Sequence, residues 1–514
     1  MSKIYNDPLF RLIRSLTKSE KRYFKLYVSR HLIKEASHYI TLFNAIEKQD
    51  NYSKKNIYKE LSDIIKNIPS TKYHLYQKIL ESLELFYQGK QIDSIITQGI
   101  THSAILLNKS LPEEAYYKLQ KTKKIAYANE KFELILNIIQ LERRILLKNF
   151  LGQKELNSRI EKILKEEKSI FHILSRENEY KHLAYQVDMY IKKRGMELRS
   201  AEEKKIFKQI IQHPIMKDEN SATTLYSKRL MYYILQNYYL LVSDLTKAKE
   251  YSIKNLIITE TGLSRGNKQD LIQYIYALNN LLVIQLNLKD YTGTLNTIKK
   301  LKLIPAAFKL KETSEEFIKV IEFGYIHEIA LYNNTGHFDK AATAGKLLTP
   351  EFNKVKNKIS QEYFLVFYSN MASANFGINR YKESLHWINE LFNLPREMFR
   401  EDIMVSMKIL NLINNFELKN YDHLEYMNLA AQRYFKKQKK VYKIEFLIVS
   451  FIQKYAKINT NEELNEFKKL RVKITNALKS PYERTALDPL DIISWIDSKI
   501  QNRPFAEVVK EKKP

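Results

Sequence analysis

Apolar residues recur along most of this sequence at every third or fourth position, which is the spacing of one face of an α-helix. No window longer than a few residues alternates between apolar and polar with the period of two that a half-buried strand requires. Two clear runs with helical spacing are Leu75, Ile79, Leu83 and Phe86, and Ile492, Trp495, Ile496 and Ile500. The pattern therefore predicts an all-α protein without a sheet of any size.

Helix starts are marked by Ser or Thr followed three residues later by Glu, since each side chain can then satisfy a backbone donor beside the other. The six candidates are Thr17/Glu20, Ser110/Glu113, Ser200/Glu203, Thr313/Glu316, Thr460/Glu463 and Ser480/Glu483. Asp7 followed by Pro8 marks a further start, because Asp is a good cap and Pro at the first helical position loses no hydrogen bond. These signals predict helix boundaries and no binding site.

Helix length divides the chain into four predicted regions. They are a small N-terminal helical domain over residues 1–90, long irregular helix pairs over 91–258, repeats over 259–479, and a C-terminal capping helix and tail over 480–514. The first region is predicted to contain the helices Pro8–Leu16, Lys18–His31, His38–Lys48, Lys54–Ile65 and Thr71–Gln88. The second region contains the predicted helices Pro112–Ala128, Phe132–Phe150 and Glu155–Lys193.

The repeats are recognised by a polar turn that is followed at once by an aromatic residue and then by a small or apolar one. The turn aromatics are Tyr291, Phe338, Tyr381 and Tyr421, at intervals of 47, 43 and 40 residues, and a weaker copy lies at 244–248. Such intervals are typical of paired-helix solenoids, in which a helix pair buries its apolar stripe only by stacking on its neighbours. We therefore expect an α-α superhelix whose pairs turn at these aromatics.

At these residues the chain resembles a divergent tetratricopeptide-repeat protein. In the best copy, Tyr363–Pro395, Ala372 and Ser384 occupy the small positions of that family and Tyr381 its turn aromatic. The copy around Phe338 keeps Tyr332, Gly336 and Ala341, whereas the Trp and Leu-Gly of the family's first helix are missing throughout. The resemblance covers about residues 246–436, and the segments 16–26 and 491–503 are similar to the ends of uncharacterised bacterial helical-repeat proteins. It implies tetratricopeptide-like helix pairs, and no activity follows from it.

Composition supports the helical prediction and excludes several kinds of chemistry. The 514 residues include only 11 Gly and 11 Pro, too few for the tight turns of many short strands, and no Cys. Without cysteine there is no disulfide, thiolate nucleophile or thiolate metal site, which fits a reducing compartment. The N-terminus lacks the apolar core of a signal peptide, and no apolar stretch approaches the ~20 residues of a membrane span. We therefore expect a cytoplasmic protein, and abundant Lys, Asn, Ile and Tyr are typical of an A+T-rich bacterial genome.

Two short motifs begin like catalytic sites and fail at a required position. His327-Glu328 opens like a zinc-protease helix, but position 331 is Leu where the second imidazole is needed. Gly345-Lys346 lacks both the earlier glycine of a phosphate-binding loop and the following hydroxyl. The sequence therefore predicts a non-enzymatic protein without a cofactor or metal, and His327 is expected to be half-buried or to line a groove.

Stacked helix pairs present a concave groove lined by the first helix of each pair, and such a surface suits recognition of a protein or peptide. The leading prediction is a scaffold or adaptor that binds its partner in that groove. The resemblance to the tetratricopeptide pattern places six polar residues near the groove surface: Asn279, Asn333, Asn334, Ser369, Asn370 and Ser373.

The formal charge of +27 keeps open an alternative in which the protein is a nucleic-acid-associated regulator. Residues 37–88 could form a winged-helix-like DNA reader whose third helix exposes Lys72, His74, Gln77 and Lys78. The densest basic cluster, with an interleaved aromatic, consists of Lys436, Lys437, Lys439, Lys440 and Lys443. In that alternative the repeats would act as a sensor domain.

Overall fold

The structure is a computed structural model that describes residues 7–31, 36–50, 52–89, 91–148, 153–195, 198, 201–264, 269–312, 314–355, 358–395, 400–437, 443–455, 463–480, 483 and 491–512. Within these residues it is all-α and contains no strand, so the predicted fold class is confirmed. The chain divides into two compact units, Met1–Ile170 and Phe171–Pro514. None of the described helices combines the length and apolar content that a membrane-spanning segment needs.

The helices of the described residues are numbered in chain order. They are α1 (Pro8–Ser15), α2 (Lys18–His31), α3 (Ala36–Glu47), α4 (Lys54–Leu61), α5 (Ile68–Tyr87), α6 (Ile92–Asn108), α7 (Pro112–Ala128), α8 (Phe132–Lys148), α9 (Gln153–Arg194), α10 (Ala201–Ile211), α11 (Leu225–Leu241), α12 (Leu245–Ser264), α13 (Gln269–Asn287), α14 (Tyr291–Ala307), α15 (Glu315–Asn334), α16 (Phe338–Val355), α17 (Gln361–Gly377), α18 (Tyr381–Phe392), α19 (Glu401–Glu417), α20 (Tyr421–Lys437), α21 (Lys443–Tyr455), α22 (Glu463–Ala477), α23 (Ile492–Gln501) and α24 (Phe505–Glu511). Two short 3₁₀ turns, Pro214–Met216 and Glu219–Ser221, lie between α10 and α11.

In the first unit, α1–α5 surround one apolar core that includes Phe24 and Phe43, whose rings stack at 4.9 Å between centroids. All five helices were predicted, with ends that differ by at most four residues. The Asp7 side chain accepts from Phe10 N at 3.1 Å, and Thr17 and Glu20 form the expected capping box. Helices α6, α7 and α8 follow as an antiparallel succession in which each packs on the next.

In the second unit, helices pack as consecutive pairs: α11 with α12, α13 with α14, α15 with α16, α17 with α18, and α19 with α20. Each of the four predicted turn aromatics is the first residue of the second helix of its pair. The small positions Ala372 and Ser384 are buried as expected. The Ser384 hydroxyl donates to the Ala372 carbonyl at 2.8 Å across the pair α17–α18. Paired helices in the predicted region are therefore confirmed.

The turn inside each pair has one backbone conformation. A residue with positive φ occupies the turn at Ser243, Lys289, Gly336, Asn379 and Lys419. The N–H of the next residue donates to the carbonyl five positions earlier, as from Asp290 to Gln285 and from Arg380 to Asn375, both at 2.9 Å. This left-handed cap satisfies carbonyls that the end of a helix leaves without a partner. A single turn geometry thus connects every pair.

One predicted capping box is wrong. The proposed Ser110/Glu113 box does not form, because Ser110 has a φ of 62° in a left-handed turn and α7 is entered at Leu111 without a side-chain cap. The Glu483 carboxylate accepts from the backbone N–H groups of Lys443 and Ile444 at 2.9 and 3.1 Å, and the predicted helix start at Ser480 borders residues that lie outside the described part of the chain. Ser200, Thr313 and Thr460 lie outside the described residues, and α15 is capped by Ser314.

The C-terminal helices α23 and α24 pack against several of the preceding helix pairs and do not cap the last pair alone. Trp495 of α23 is 1% exposed and donates from Nε1 to Glu417 Oε1, at the end of α19, at 2.7 Å. Phe505 of α24 stacks on Phe338 at 5.4 Å and meets Phe376 edge-on at 5.3 Å. The C-terminal segment therefore joins the turns of three successive pairs.

Candidate partner-binding face

The first helices of three successive pairs lie side by side in the second unit, because α13 packs on α15 and α15 packs on α17. We call the surface formed by α13, α15 and α17 the first-helix face. The residues that point away from the second helices on this face are half-buried rather than fully exposed. It is therefore a recessed surface built from three separate segments of the chain.

Three rows of contacts cross this face from helix to helix. In the first, Phe323 lies between Tyr276 and Tyr363 with ring centroids 5.6 and 5.2 Å apart. In the second, His327 Nε2 and Asn279 Oδ1 are 2.8 Å apart. In the third row, the side-chain amide of Asn333 donates to the backbone carbonyl of Asn370 at 2.9 Å. These contacts fix the spacing of the three helices.

The imidazole of His327 is neutral at physiological pH, because burial lowers its pKa to about 4. With Asn279 Oδ1 as acceptor, the ring donates through Nε2. The side chain is half-buried, as the sequence predicted. His327 joins α15 to α13 and has no metal-binding partner one turn later, since Leu331 stands there.

A buried ion pair lies beside the aromatic row. The Glu322 carboxylate is fully buried, and it accepts from Lys319 Nζ at 2.5 Å and from the backbone N–H of Ser360 at 3.0 Å. Burial raises the pKa of Glu322 even though the Lys319 ammonium acts to lower it. Lys319 Nζ also lies 5.2 Å from the centroid of Tyr363. The face thus already holds one cation between a ring and a carboxylate.

All six polar residues predicted to lie near a groove are on the first helices, and all six are half-buried. Asn279 and Asn333, with the backbone of Asn370, form the cross-helix bonds described above. The Ser369 hydroxyl donates to the Val366 carbonyl of its own helix at 2.9 Å. Among the described residues, the side chains of Asn334 and Ser373 form no hydrogen bond. Contact with a ligand stays a prediction for all six.

The first helices differ in charge from the rest of this basic chain. Helices α13, α15 and α17 carry six carboxylates and one lysine, whereas their partners α14, α16 and α18 carry four carboxylates and seven lysines. Glu315 at the start of α15 is exposed, and Glu328 is paired with Lys302 of α14 at 2.6 Å. Carboxylates therefore outnumber lysines on the first helices, although Glu322 and Glu328 are paired with lysines.

The face does not continue onto α19. Between Asp402 and Phe416 every residue of α19 is buried except Lys408 and Asn411, which are half-buried. Its N-terminal end lies against the chain that follows α9, because a side chain at Gly195 would overlap the Asp402 carboxylate. Its C-terminal end is covered by Trp495. The open part of the first-helix face therefore ends at α17 on this side.

The residues assigned to nucleic-acid binding are less available than the sequence suggested. Lys72, Gln77 and Lys78 are half-buried and only His74 of the four is exposed, so the expected exposure was wrong for three of them. Lys72 binds Asp7 and also donates to Tyr52 Oη at 2.6 Å, and Lys78 is paired with Glu81 at 2.7 Å. The contacts of Lys72 join α5 to Asp7 and Tyr52, whereas the Lys78–Glu81 pair lies within α5 itself.

The basic cluster is described only in part. Lys436 and Lys437 are the last residues of α20, and Lys443 is exposed at the first position of α21. Lys439 and Lys440 lie outside the described residues. A role for this cluster stays a prediction.

Sequence reasoning missed Tyr276, Lys319, Glu322 and Tyr363 as members of the site. They are ordinary helix residues in the sequence, and only the packing of α13, α15 and α17 brings them into one row. Repetition of an aromatic or charged residue at matching positions of successive first helices is the signal that could have found them. Within the described residues, no group of three His, Asp or Glu side chains is placed to hold a metal ion.

Comparison with known proteins adds no assignment. No family model matches this sequence, and no curated protein is significantly similar to it. The tetratricopeptide resemblance therefore depends on the turn aromatics, the small positions and the pairing of the helices.

Proposed function

We propose that this protein is a non-enzymatic scaffold or adaptor that binds a protein or peptide on its first-helix face. The observation that supports this best is a recessed layer of three cross-linked helices with half-buried polar side chains, two of which, Asn334 and Ser373, form no hydrogen bond among the described residues. A polar surface of this kind can form hydrogen bonds with the backbone of a bound segment. Because the cross-helix contacts already fix the three helices, binding would not have to order them.

The dimensions of the face suit a short extended segment. Neighbouring helix axes lie about 9 Å apart, so crossing from α13 to α17 spans roughly 18 Å, or about six extended residues. The side-chain amide of Asn334 and the hydroxyl of Ser373 would form hydrogen bonds with the backbone of that segment. The carboxylates of α15 favour a segment with Lys or Arg, whose cations could also lie on Tyr276 or Tyr363 as Lys319 does.

Bulky neutral substitutions on the first-helix face test this proposal without changing its charge. In Asn370→Trp and Ser373→Trp, an indole would fill the surface of α17, and we expect loss of the peptides that wild-type protein selects from a random display library. Asn389→Trp is the matched control, because Asn389 is exposed on the second helix α18. The proposal fails if the two face variants retain every selected peptide, or if Asn389→Trp loses them equally.

The nucleic-acid alternative retains one supporting observation. The net charge of +27 lies mostly outside the first helices, and Lys443 is an exposed part of the C-terminal cluster. Replacement of Lys436, Lys437, Lys439 and Lys440 by Glu would then abolish a DNA affinity that falls steeply with added salt. DNA binding unchanged in that variant would exclude the cluster as its site.

A further inference from the structure

Lys408 lies between two aromatic rings near the end of the repeats. Its Nζ is 5.0 Å from the ring centroid of Phe392 and 4.6 Å from that of Tyr434. Phe392 is the last residue of α18, and Tyr434 lies in the final turns of α20. The side chain comes from the first helix α19 and reaches between two second helices. We call Lys408, Phe392 and Tyr434 the Lys408 cage.

Other lysines of the chain combine the same ring contact with a carboxylate. Five half-buried lysines of the described residues do so: Lys25 with Phe43 and Glu47, Lys72 with Tyr52 and Asp7, Lys254 with Tyr251 and Glu219, Lys302 with Tyr325 and Glu328, and Lys319 with Tyr363 and Glu322. Lys408 is also half-buried, yet it forms no ion pair or hydrogen bond with the part of the chain that the structure describes. Lys54, Lys121 and Lys181, which lie over rings and also lack a carboxylate there, are exposed and hydrated.

Burial of the Lys408 ammonium without a carboxylate partner among the described residues has an electrostatic cost. Two ring faces attract an ammonium only weakly, and this attraction does not replace the hydration that burial removes. Burial accordingly lowers the pKa of Lys408. An anion at the open side of the cage would restore the partner that the other five lysines have. Because Lys408 is only half-buried, such an anion can reach it.

We propose that the Lys408 cage binds a carboxylate of a partner polypeptide, an Asp or Glu side chain that approaches between α18 and α20. The five internal examples identify the chemistry, since each completes a lysine and a ring with a carboxylate. The cage lies on the side of the second helices, so this interaction does not depend on the first-helix face. Lys436 and Lys437 end α20 shortly after Tyr434 and add positive charge to the same helix.

The test is a double-mutant cycle with a defined peptide. A random peptide display library is selected on wild-type protein in the presence of Lys408→Met as an unlabelled competitor, so that only peptides requiring Lys408 are kept. We expect these peptides to be enriched in Asp or Glu. Each should bind Lys408→Met about tenfold more weakly than wild type, while Lys408→Arg retains most of the affinity. Changing the peptide's Glu to Gln should cost the same factor on wild type and nothing on Lys408→Met.

Controls separate the cage from charge in general and from the first-helix face. Lys382→Met removes a charge from an exposed position of α18 and should leave the affinity unchanged. Ser373→Trp should also leave it unchanged, so this result is independent of the function proposed above. Matched thermal unfolding of Lys408→Met and wild type shows whether the variant is folded, and Lys408→Gln serves as the neutral variant if it is not.

Two results would overturn the inference. The first is a selected set without acidic enrichment, or acidic peptides that bind Lys408→Met as well as wild type. The second is a DNA oligonucleotide or inorganic phosphate that depends on Lys408 when acidic peptides do not, because the cage would then recognise phosphate instead of carboxylate.

Discussion

The helix pairs α17–α18 and α19–α20 have the same kind of turn between their two helices, but the pairs lie in different surroundings. Both turns have a left-handed residue, Asn379 or Lys419, followed two positions later by the tyrosine that starts the second helix. Helix α17 nevertheless presents a half-buried polar face, whereas α19 is buried on nearly every side. The local turn therefore specifies that two helices pair, and their neighbours decide which helix face stays open.

The two pairs also differ where the second helix meets the first. Ser384 of α18 is 0% exposed, donates to Ala372 O at 2.8 Å and accepts from Asn414 Nδ2 of the next pair at 2.9 Å. At the matching position of α20 stands Leu424, which is 2% exposed and packs as an apolar residue. A hydrogen bond between pairs is thus present at Ser384, and apolar packing takes its place at Leu424.

The largest expected effect comes from uncovering α19. Trp495→Ala removes the indole that packs on Phe416 and binds Glu417, and we expect the free energy of unfolding to fall by about 4 kcal/mol. Hydrogen exchange should rise in α19 and stay unchanged in α17, since Trp495 contacts α19 and α22. Trp495→Phe, which keeps an aromatic ring, should cost less than half as much. Equal exchange in α17 and α19 of the Ala variant would contradict this account of the difference.

Making the two pairs alike at the small position should have the next largest effect. Ser384→Leu introduces the side chain of position 424 into a fully packed site and removes both hydrogen bonds, so we expect a loss of about 3 kcal/mol in urea unfolding followed by circular dichroism. Ser384→Ala removes only the hydrogen bonds and should cost about 1 kcal/mol. If Ser384→Leu is as stable as Ser384→Ala, the site is not limited by space.

The polar contacts of the open face make its stability depend on pH. The folded pKa of His327, about 4, lies below the ordinary value of 6.5, so the unfolded chain binds more protons between these values. Stability should therefore fall by about 2 kcal/mol as the pH drops from 6.5 toward 4. His327→Gln, which can still donate to Asn279, should show a smaller fall over the same range. An identical pH profile for the variant would remove His327 as the cause.

The smallest expected effect on stability comes from glycine substitutions in the two turns. A left-handed conformation costs a side chain such as Lys about 1 kcal/mol and costs Asn less, while Gly adopts it freely but loses more entropy on folding. Lys419→Gly should therefore stabilise the protein by about 0.5 kcal/mol, and Asn379→Gly should be close to neutral. Thermal unfolding of both variants measures the difference. A destabilised Lys419→Gly would show that its side chain makes a contact that outweighs the strain.

Much of the local architecture could be predicted because it depends on residues close together in sequence. Four turn aromatics identified four second helices, and Asp7-Pro8 and the Thr17/Glu20 pair identified two helix starts. One failure shows the limit of such patterns. Ser110 matches a capping pattern, but the carbonyls ending α6 are satisfied by a left-handed turn at that residue. The bond from Lys443 N–H to the Glu483 carboxylate, about forty residues away, could not be read from either segment alone.

The sequence by itself determined that this chain forms helices, where most of them begin, and that those of the repeat region pair at aromatic turns, because these properties follow from periodicity and from hydrogen bonds within a few residues. Only the tertiary structure decided that α13, α15 and α17 share a recessed polar face, that α19 is covered, and that Lys408 lies between two rings with no carboxylate partner in the described part of the chain. Each of these depends on which distant helices become neighbours. That choice is made by the burial of apolar area summed over the whole second unit, and no short window of sequence contains it.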